Sequence, residues 1–464
     1  MPIFIYNSLS RAKEEFHPLK PKEIKMYVCG PTVYDEPHIG HARSAYIFDV
    51  IRRYLAYKGY QVKFVRNVTD VDDKIIDKSK KEFPGEDLNT AFKKVAEKYL
   101  IAYHRALADL GIDAGQKIIE PKASEYIPKM IEFIQGLIAK GAAYVAGGDV
   151  YFDITKARGY GKLSNQSLDK MESGGRAAAH GNKRNPLDFA LWKSAKEDEP
   201  SWKSPWGNGR PGWHIECSVM SSDILGDEFD IHGGGIDLIF PHHENEIAQS
   251  EAAGEQFAHY WIHHGLLTIN GQKMAKSLGN FVTVSSFLEQ YKNADLLKLL
   301  FLSTHYAHPV DYTDEKVREA RQALERILIL VDKIGAVSRA ASKDIREIEE
   351  LKNKFIAAMD DDFNTPQALA AIFELVNIAN KNIGDASFAR GCAKVLRELT
   401  DIFGLSLEQK AESADAGVEA LIAQRNAARK NKDFKRSDQI REELEAQGII
   451  LEDTKDSTTW RRKL

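Results

Sequence analysis

Apolar residues near the start of the chain switch between a strand-like and a helical rhythm. The run Ile24 to Val28 is mostly apolar and predicts a buried strand. Ala45, Phe48, Ile51 and Leu55 then recur at helical spacing, and Gly59 supplies a stop. Val62 to Val68 predicts a second strand. Strand, helix and strand at this length make a βαβ unit with a right-handed crossover. The loop that begins at Cys29 then lies at the carboxyl end of the first strand, against the helix N-terminus. Open α/β sheets bind ligands there, and free backbone N–H groups attract phosphate.

Further along, Tyr126 to Lys140 predicts a helix, and Asp149 to Phe152 a short strand among Gly-rich turns. Arg158 to Leu163 is a polar loop, and Ala177 to Pro186 is rich in Gly, Ala, Lys and Arg and predicts a mobile stretch. The sheet is expected to resume around Gly212-Trp213-His214-Ile215-Glu216-Cys217. A strand from Phe229 then runs into Gly233-Gly234-Gly235, where backbone can lie close to a flat ligand. Pro241 fits the first turn of a helix over His242 to Ala253, which puts His242 and Glu246 on one face. From Val282 the periodicity is helical: Phe287 to Leu302, Arg318 to Val331, Ile345 to Ala358, and Gln367 to Asn380 with Thr365-Pro366 as cap and first turn. Glu408 to Gly417 is a polar linker. The last segment opens with Arg425, Arg429, Lys432 and Arg436 at offsets of four, seven and eleven, one stripe of a helix.

Composition narrows the classes. The 464 residues allow two to four domains, and 43% hydrophobic with 28% charged residues supports ordinary folded cores. The net charge is −4, from 64 basic and 68 acidic side chains, so any contact with RNA must come from local patches. No apolar run approaches the roughly 18 residues of a membrane span. The N-terminus lacks the basic and apolar pattern of a signal peptide. Three cysteines, Cys29, Cys217 and Cys392, are too few for a disulfide framework, which points to a reducing cytoplasm.

Several side chains carry candidate chemistry. His38 and His41 stand three apart at the start of the predicted helix, where both can donate to phosphate oxygens, and Gly40 lets a flat ring approach the backbone. Two surface histidines near a turn are the plain alternative. Thr69 falls at a strand end and can face the same cleft as Cys29, or it can cap the helix that follows. Cys29, Cys217, His242 and Glu246 offer a ligand set that suits zinc, and His243 is as good as His242 by spacing alone. No CxxC spacing announces such a site, and separated cysteines are often core. Lys273 and Lys276 lie in a Gly-flanked loop, Gly271 to Asn280, where solvated lysines are equally expected.

The motifs taken together resemble a known family. Pro37-His38-Ile39-Gly40-His41 resembles the HIGH signature of class I aminoacyl-tRNA synthetases, and Lys273-Met274-Ala275-Lys276-Ser277 resembles their KMSKS loop, with Ala275 where the motif has serine. Cys29 ahead of the first signature, with GWHIEC and FPHHENEIAQSE, is similar to the cysteinyl-tRNA synthetase family in particular, and the resemblance runs the length of the chain. It implies ATP-dependent activation of L-cysteine and transfer to tRNA-Cys, with magnesium accompanying ATP. It assigns His38, Gly40, His41, Lys273 and Lys276 to ATP chemistry, and Asp237 is a candidate for the ribose. It implies one zinc ion on Cys29, Cys217, His242 and Glu246. It places the substrate cysteine near Cys29, Gly30, Thr69 and Trp213, although Trp213 is otherwise an ordinary core aromatic.

The same resemblance gives an α/β fold: a Rossmann-like parallel-sheet catalytic domain with a connective insertion, then a helical bundle and a small C-terminal domain. The expected boundaries are 1–125 and 211–281 for the two catalytic halves and 126–210 for the insertion, which helps hold the tRNA acceptor end. A junction covers 282–309, an anticodon-side bundle 310–407 and an anticodon-reading domain 418–464. Arg429, Asp438, Asp453 and Trp460 are the expected tRNA contacts, although a basic stripe is also what a solvated helix face looks like. A cytoplasmic monomer is expected. Two other readings remain: a ligase that gives activated cysteine to an amino sugar, and a non-catalytic RNA-binding descendant. The anticodon-type region weighs against the first. The intact histidines and lysines weigh against the second.

Overall fold

The computed structural model describes residues 2–113, 115, 117–167, 182–196, 199–275, 278–335, 345–407, 416–447, 449–453 and 458–462. Lys276, most of the linker 408–417 and part of the stretch 177–186 lie outside them.

The chain opens with a hairpin of β1 (Phe4–Asn7) and β2 (Ala12–Glu15). Then come β3 (Glu23–Val28), α1 (Ile39–Tyr57) and β4 (Gln61–Arg66), with β3 and β4 paired in parallel as the sequence predicts. Ala45, Phe48, Ile51 and Leu55 are all buried, and Gly59, at φ +89°, follows the end of α1. Helices α2 (Asp73–Glu82) and α3 (Leu88–Asp109) follow. Asp72 caps α2 by accepting from the Lys74 amide at 2.8 Å, so Thr69 is released from the capping role open to it in sequence.

Helix α4 (Ile127–Ala139) leads into an antiparallel sheet of β5 (Ala143–Ala146), β6 (Asp149–Phe152), β7 (Phe189–Ser194) and β8 (Gly209–Pro211). The expected return of the sheet at Gly212–Cys217 is wrong. Trp213–Leu225 is a helix, α5, started by Gly212 in an extended conformation. Every residue from Ile215 to Ser221 is buried, so this part of α5 has no exposed face and no helical period to read.

Then come β9 (Glu228–Gly235), α6 (Glu244–Ala253) and β10 (Phe257–His264). The helix predicted from His242 begins two residues later, because Phe240 is extended (φ −137°, ψ 129°) and Ile239–His243 forms a wide turn. The central parallel sheet has the order β10-β9-β3-β4. Its crossovers diverge: β3 connects outward to β4 and β9 outward to β10. The β3–β9 junction is therefore a topological switch point, and the loops after both strands open into one crevice.

Strands β11 (Leu267–Ile269), β12 (Gln272–Lys273) and β13 (Val310–Tyr312) make a small sheet, with α7 (Val284–Tyr291) and α8 (Ala294–Leu302) between β12 and β13. The helices α9 (Asp314–Gly335), α10 (Arg346–Asp360), α11 (Thr365–Lys381) and α12 (Ala386–Ile402) pack on one another. Asn364, not Thr365, caps α11, accepting from the Gln367 amide at 3.2 Å, while the Thr365 hydroxyl donates to the Leu302 carbonyl at 3.0 Å. Cys392 is buried in this bundle, as expected of a packing residue.

The segment from 416 carries α13 (Ala416–Lys430), α14 (Phe434–Ala446) and the hairpin of β14 (Ile449–Asp453) and β15 (Thr458–Arg462). The predicted basic stripe is broken: α13 ends at Lys430, Lys432 is left-handed at φ +61°, and Arg436 lies on α14.

Side chains alternate across the central sheet. Met26 and Val28 join a core that runs through α1 and α8 into the bundle, and Tyr27 faces a second core with α4, α5 and the insertion sheet. Val418, Ile422, Ile440, Leu444, Ile449 and Leu451 form a third, small core.

Candidate active site

The crevice at the switch point collects donors from four segments. Cys29 follows β3, Cys217 sits on α5, His242 lies in the wide turn and Glu246 lies in the first turn of α6. Cys29 Sγ is 3.6 Å from Cys217 Sγ and 3.7 Å from Glu246 Oε1, and Cys217 Sγ is 3.5 Å from His242 Nε2. Tetrahedral zinc with its usual bond lengths sets ligand atoms roughly 3.3–3.8 Å apart. The His242 Nε2 to Glu246 Oε1 separation is shorter, 2.9 Å. Two thiols, an imidazole and a carboxylate, all buried, fit a soft divalent metal. A second quartet shares Cys29 and Glu246 but uses His232 and His243, with His243 Nε2 3.3 Å from Cys29 Sγ.

The electrostatics favour one deprotonated sulfur, that of Cys217. Burial alone would raise the Cys217 thiol, but the hydrogen bond with Cys29 and the neighbouring His242 bring it down to about 6. Burial, and then the nearness of Cys217, push Cys29 upward, as expected when one thiolate already stands beside it. Burial opposes charge on His242 and Glu246 as well, yet Glu246 raises the His242 imidazole to about 10, and His232, then His242, hold the Glu246 carboxylate well below its ordinary range.

Three histidines that sequence reasoning missed surround this set. His232 Nε2 is 2.7 Å from Glu246 Oε2, His214 Nδ1 is 3.0 Å from His242 Nδ1, and His243 Nδ1 is 2.8 Å from His263 Nε2. His232 and His263 lie toward the carboxyl ends of β9 and β10, the position the switch-point rule singles out. The Gly233 and Gly234 backbones do lie against flat rings, but the rings are the protein's own Phe48 and His243.

Beside the metal-type cluster the Gly30 amide donates to Asn67 Oδ1 (2.9 Å), Asn67 Nδ2 donates to Thr69 Oγ1 (3.3 Å), and Thr69 Oγ1 donates to Glu216 Oε2 (2.8 Å). Trp213 stacks on His242 with centroids 4.1 Å apart and is 38% exposed, so it covers the cluster from the solvent side. Asp237 is exposed, on the turn Ile236–Leu238 after β9.

His38 caps α1. Its Nδ1 accepts from the amides of Gly40 (3.1 Å) and His41 (3.3 Å), and His41 Nδ1 accepts from the His38 amide (3.4 Å). An accepting Nδ1 puts the ring proton on Nε2 in both residues. The rings stack 3.7 Å apart, and a Cβ on Gly40 would meet the His38 ring at 2.9 Å. Burial, with His38 and Lys74 nearby, lowers His41 to about 3, so it is a neutral donor.

Lys273 is exposed at the end of β12. The Ala275 amide donates to Asn280 Oδ1 at 2.8 Å and Asn280 Nδ2 donates to the Lys273 carbonyl at 3.2 Å, which clasps the neck of the loop. In the C-terminal unit Asp453 accepts from both Arg425 nitrogens at 2.8 Å and from Arg429 at 2.9 Å, Asp438 is exposed on α14, and Trp460 pairs with Leu451 across the hairpin.

Comparison with known proteins matches three family models in order. The tRNA synthetases class I (C) catalytic domain covers residues 15–322, the DALR domain 354–408 and the cysteinyl-tRNA ligase anticodon binding domain 412–461. The cysteine–tRNA ligase of Geobacillus thermodenitrificans is 49% identical over 472 residues, spanning 99% of each chain. The chain belongs to the cysteinyl branch of the class I tRNA synthetases. It is a ligase. The cysteine–tRNA ligase of Geobacter sulfurreducens is 47% identical over 490 residues and all of both chains. Two solved structures share the class I fold at low identity. Mycobacterium tuberculosis methionyl-tRNA synthetase with methionyl-adenylate has a TM-score of 0.59 at 15% identity, over 82% of this chain and 90% of that one. The Agrobacterium radiobacter K84 agnB2 LeuRS–tRNA–LeuAMS complex has 0.60 at 13%, over 84% of each. Among the described residues no helix is long and apolar enough to cross a membrane.

Proposed function

We propose that this ligase activates L-cysteine with magnesium-ATP and transfers it to the 3′ end of tRNA-Cys in the cytoplasm. The observation that carries the reading is the buried Cys29, Cys217, His242 and Glu246 cluster lying one loop away from the paired histidines of α1. A zinc ion held by those four residues would supply a soft Lewis acid that prefers the thiol of cysteine to the hydroxyl of serine. Shape alone discriminates poorly between such isosteres. Thr69, with its proton committed to Glu216 and one lone pair to Asn67, keeps a lone pair for an α-ammonium, and Gly30 and Trp213 complete the proposed cysteine site.

In the first step a carboxylate oxygen of cysteine attacks the α-phosphorus of ATP and pyrophosphate leaves in line. The nucleophile is already charged, so no general base is required. What the chain supplies is position and countercharge. His38 and His41, both with the proton on Nε2, donate to phosphate oxygens. Lys273 and Lys276 neutralise the departing pyrophosphate, Gly40 keeps the approach open, and Asp237 takes the ribose. In the second step a terminal ribose hydroxyl of tRNA attacks the acyl carbon and AMP departs. Arg429, Asp438, Asp453 and Trp460 contact the tRNA at the far end, with Asp453 oriented by Arg425. The boundaries at 125, 210, 281, 309 and 407 divide the chain by these tasks.

The test is charging. Purified protein, labelled cysteine, ATP, magnesium and total tRNA should give acid-precipitable label with cysteine and none with serine, and chelation should abolish it. Cysteine-dependent pyrophosphate exchange without label on RNA would assign a different acceptor. No exchange from folded protein would remove the ligase reading of the site.

A further inference from the structure

The two signature segments are far apart in sequence but share one fastener. Arg43, on α1 just past His41, is 1% exposed, and among the described residues its guanidinium donates to four backbone carbonyls. Nη1 donates to the carbonyls of Gly265 and, at 2.8 Å, Leu266; Nη2 donates to those of Tyr306 (3.2 Å) and His308 (2.6 Å). Gly265 and Leu266 form the kink where the chain leaves β10 for β11. Tyr306 and His308 belong to the turn that leads into β13, which pairs with β11 in parallel. The Gly265 amide donates to the Tyr306 carbonyl at 2.9 Å, and a Cβ on Gly265 would meet the His308 backbone at 2.3 Å. The guanidinium thus fills a notch at the base of the small sheet whose outer strand, β12, ends at Lys273.

The downstream flank of the lysine loop is tied to the same helix start. The Ile39 amide donates to the Val282 carbonyl at 3.1 Å, the Val284 amide donates to the Pro37 carbonyl at 3.0 Å, and His38 bridges to Thr283. Both ends of the loop are therefore anchored to the segment Pro37 to Arg43.

We propose that Arg43 is a positioning residue for adenylate formation: its four carbonyl bonds set the lysine loop in register with His38 and His41, so that both ends of the triphosphate are held at once. The proposal rests on the adenylate-forming reading above. It predicts a defect confined to the chemical step. Misplacing a catalytic group by about 1 Å costs on the order of 10²-fold in rate. A lysine at 43 keeps the charge but gives up the planar fork that serves two segments.

The experiment measures cysteine-dependent ATP–pyrophosphate exchange for the wild type, Arg43→Lys and Gly265→Ala. The second variant disturbs the same notch from the other side and leaves the arginine in place. Both variants are expected to lose about 30- to 100-fold in kcat, with KM for cysteine within about twofold, and to transfer cysteine from preformed adenylate to tRNA at near the wild-type rate. Arg66→Lys, at another buried arginine, is the comparison for a general loss of stability, and thermal melting of each protein checks folding. Wild-type exchange with normal kcat in folded Arg43→Lys or Gly265→Ala overturns the proposal, as does a loss that appears equally in KM for cysteine. Absent exchange in the wild type overturns the underlying reading instead.

Discussion

His232 holds Glu246 by the oxygen that His242 does not use: Nε2 of His232 is 2.7 Å from Oε2, while Oε1 is 2.9 Å from His242 Nε2. Both side chains are completely buried. The carboxylate is therefore fixed in rotation before any ion arrives, with Oε1 turned toward the two thiols. Residues that orient a metal ligand in this way are typically worth about 10- to 100-fold in affinity. His232→Asn should raise the dissociation constant for zinc by that factor, read by competition with a chromogenic chelator. Binding as tight as in the wild type would show that the His232–Glu246 bond does not orient the ligand, and the quartet with His232 and His243 would also lose its support.

Cys217→Ser separates a ligand from a core residue. The change is nearly isosteric, so a packing role tolerates it, and the hydroxyl is far less acidic than a thiol pulled to about 6. Zinc content and cysteine activation should fall together, with the melting temperature reduced by less than the loss of the whole cluster would cause. Full zinc occupancy and unchanged activation would remove Cys217 from the site.

What the sequence made legible follows from what each residue must satisfy locally. Ala45, Phe48, Ile51 and Leu55 face one core, so α1 shows its period. The middle of α5, Ile215 to Ser221, is buried on every side and shows none, which is why Gly212–Cys217 reads as a returning strand. The signature residues of the site were legible because they sit in short, unusual strings. The supporting histidines were not: His232 and His263 are single residues in apolar strands, and only the meeting of β9 and β10 with β3 brings them to Glu246 and His243. The basic stripe failed for a similar reason. Arg425 is spent on Asp453, and no pattern within α13 records a partner on β14.

Mild acid should destabilise the protein through His264. Burial brings His264 down to about 4, beside Arg43. In the unfolded chain a histidine takes up its proton near pH 6.5. Its folded value is depressed, so between these limits the unfolded state binds more protons, and stability falls as pH drops from about 6.5 toward 4. One such group removes about 2 kcal/mol by pH 5. The urea midpoint should therefore drop between pH 7.5 and pH 5, and His264→Gln should drop less over the same interval. Equal losses in both proteins would show that His264 is not held neutral.

Lys276→Ala tests the loop that the clasp at Asn280 presents. Asn280 binds the backbone on both sides of Met274, through the Ala275 amide and the Lys273 carbonyl, so the neck of the loop closes without a side-chain hydroxyl at position 275. The clasp therefore needs no hydroxyl at 275, and the role proposed for Lys276 is charge. Removing a preorganised charge that acts on a leaving group costs about 10²-fold or more in the chemical step. Single-turnover adenylate formation should slow by that factor, and tRNA binding, followed by filter retention or fluorescence, should stay within about twofold because the anticodon-side contacts are untouched. Ala275→Ser, by the same reasoning, should change the rate by less than about threefold. A large gain from the serine would mean that the hydroxyl orders the loop after all, and an unchanged rate in Lys276→Ala would take the loop out of the reaction.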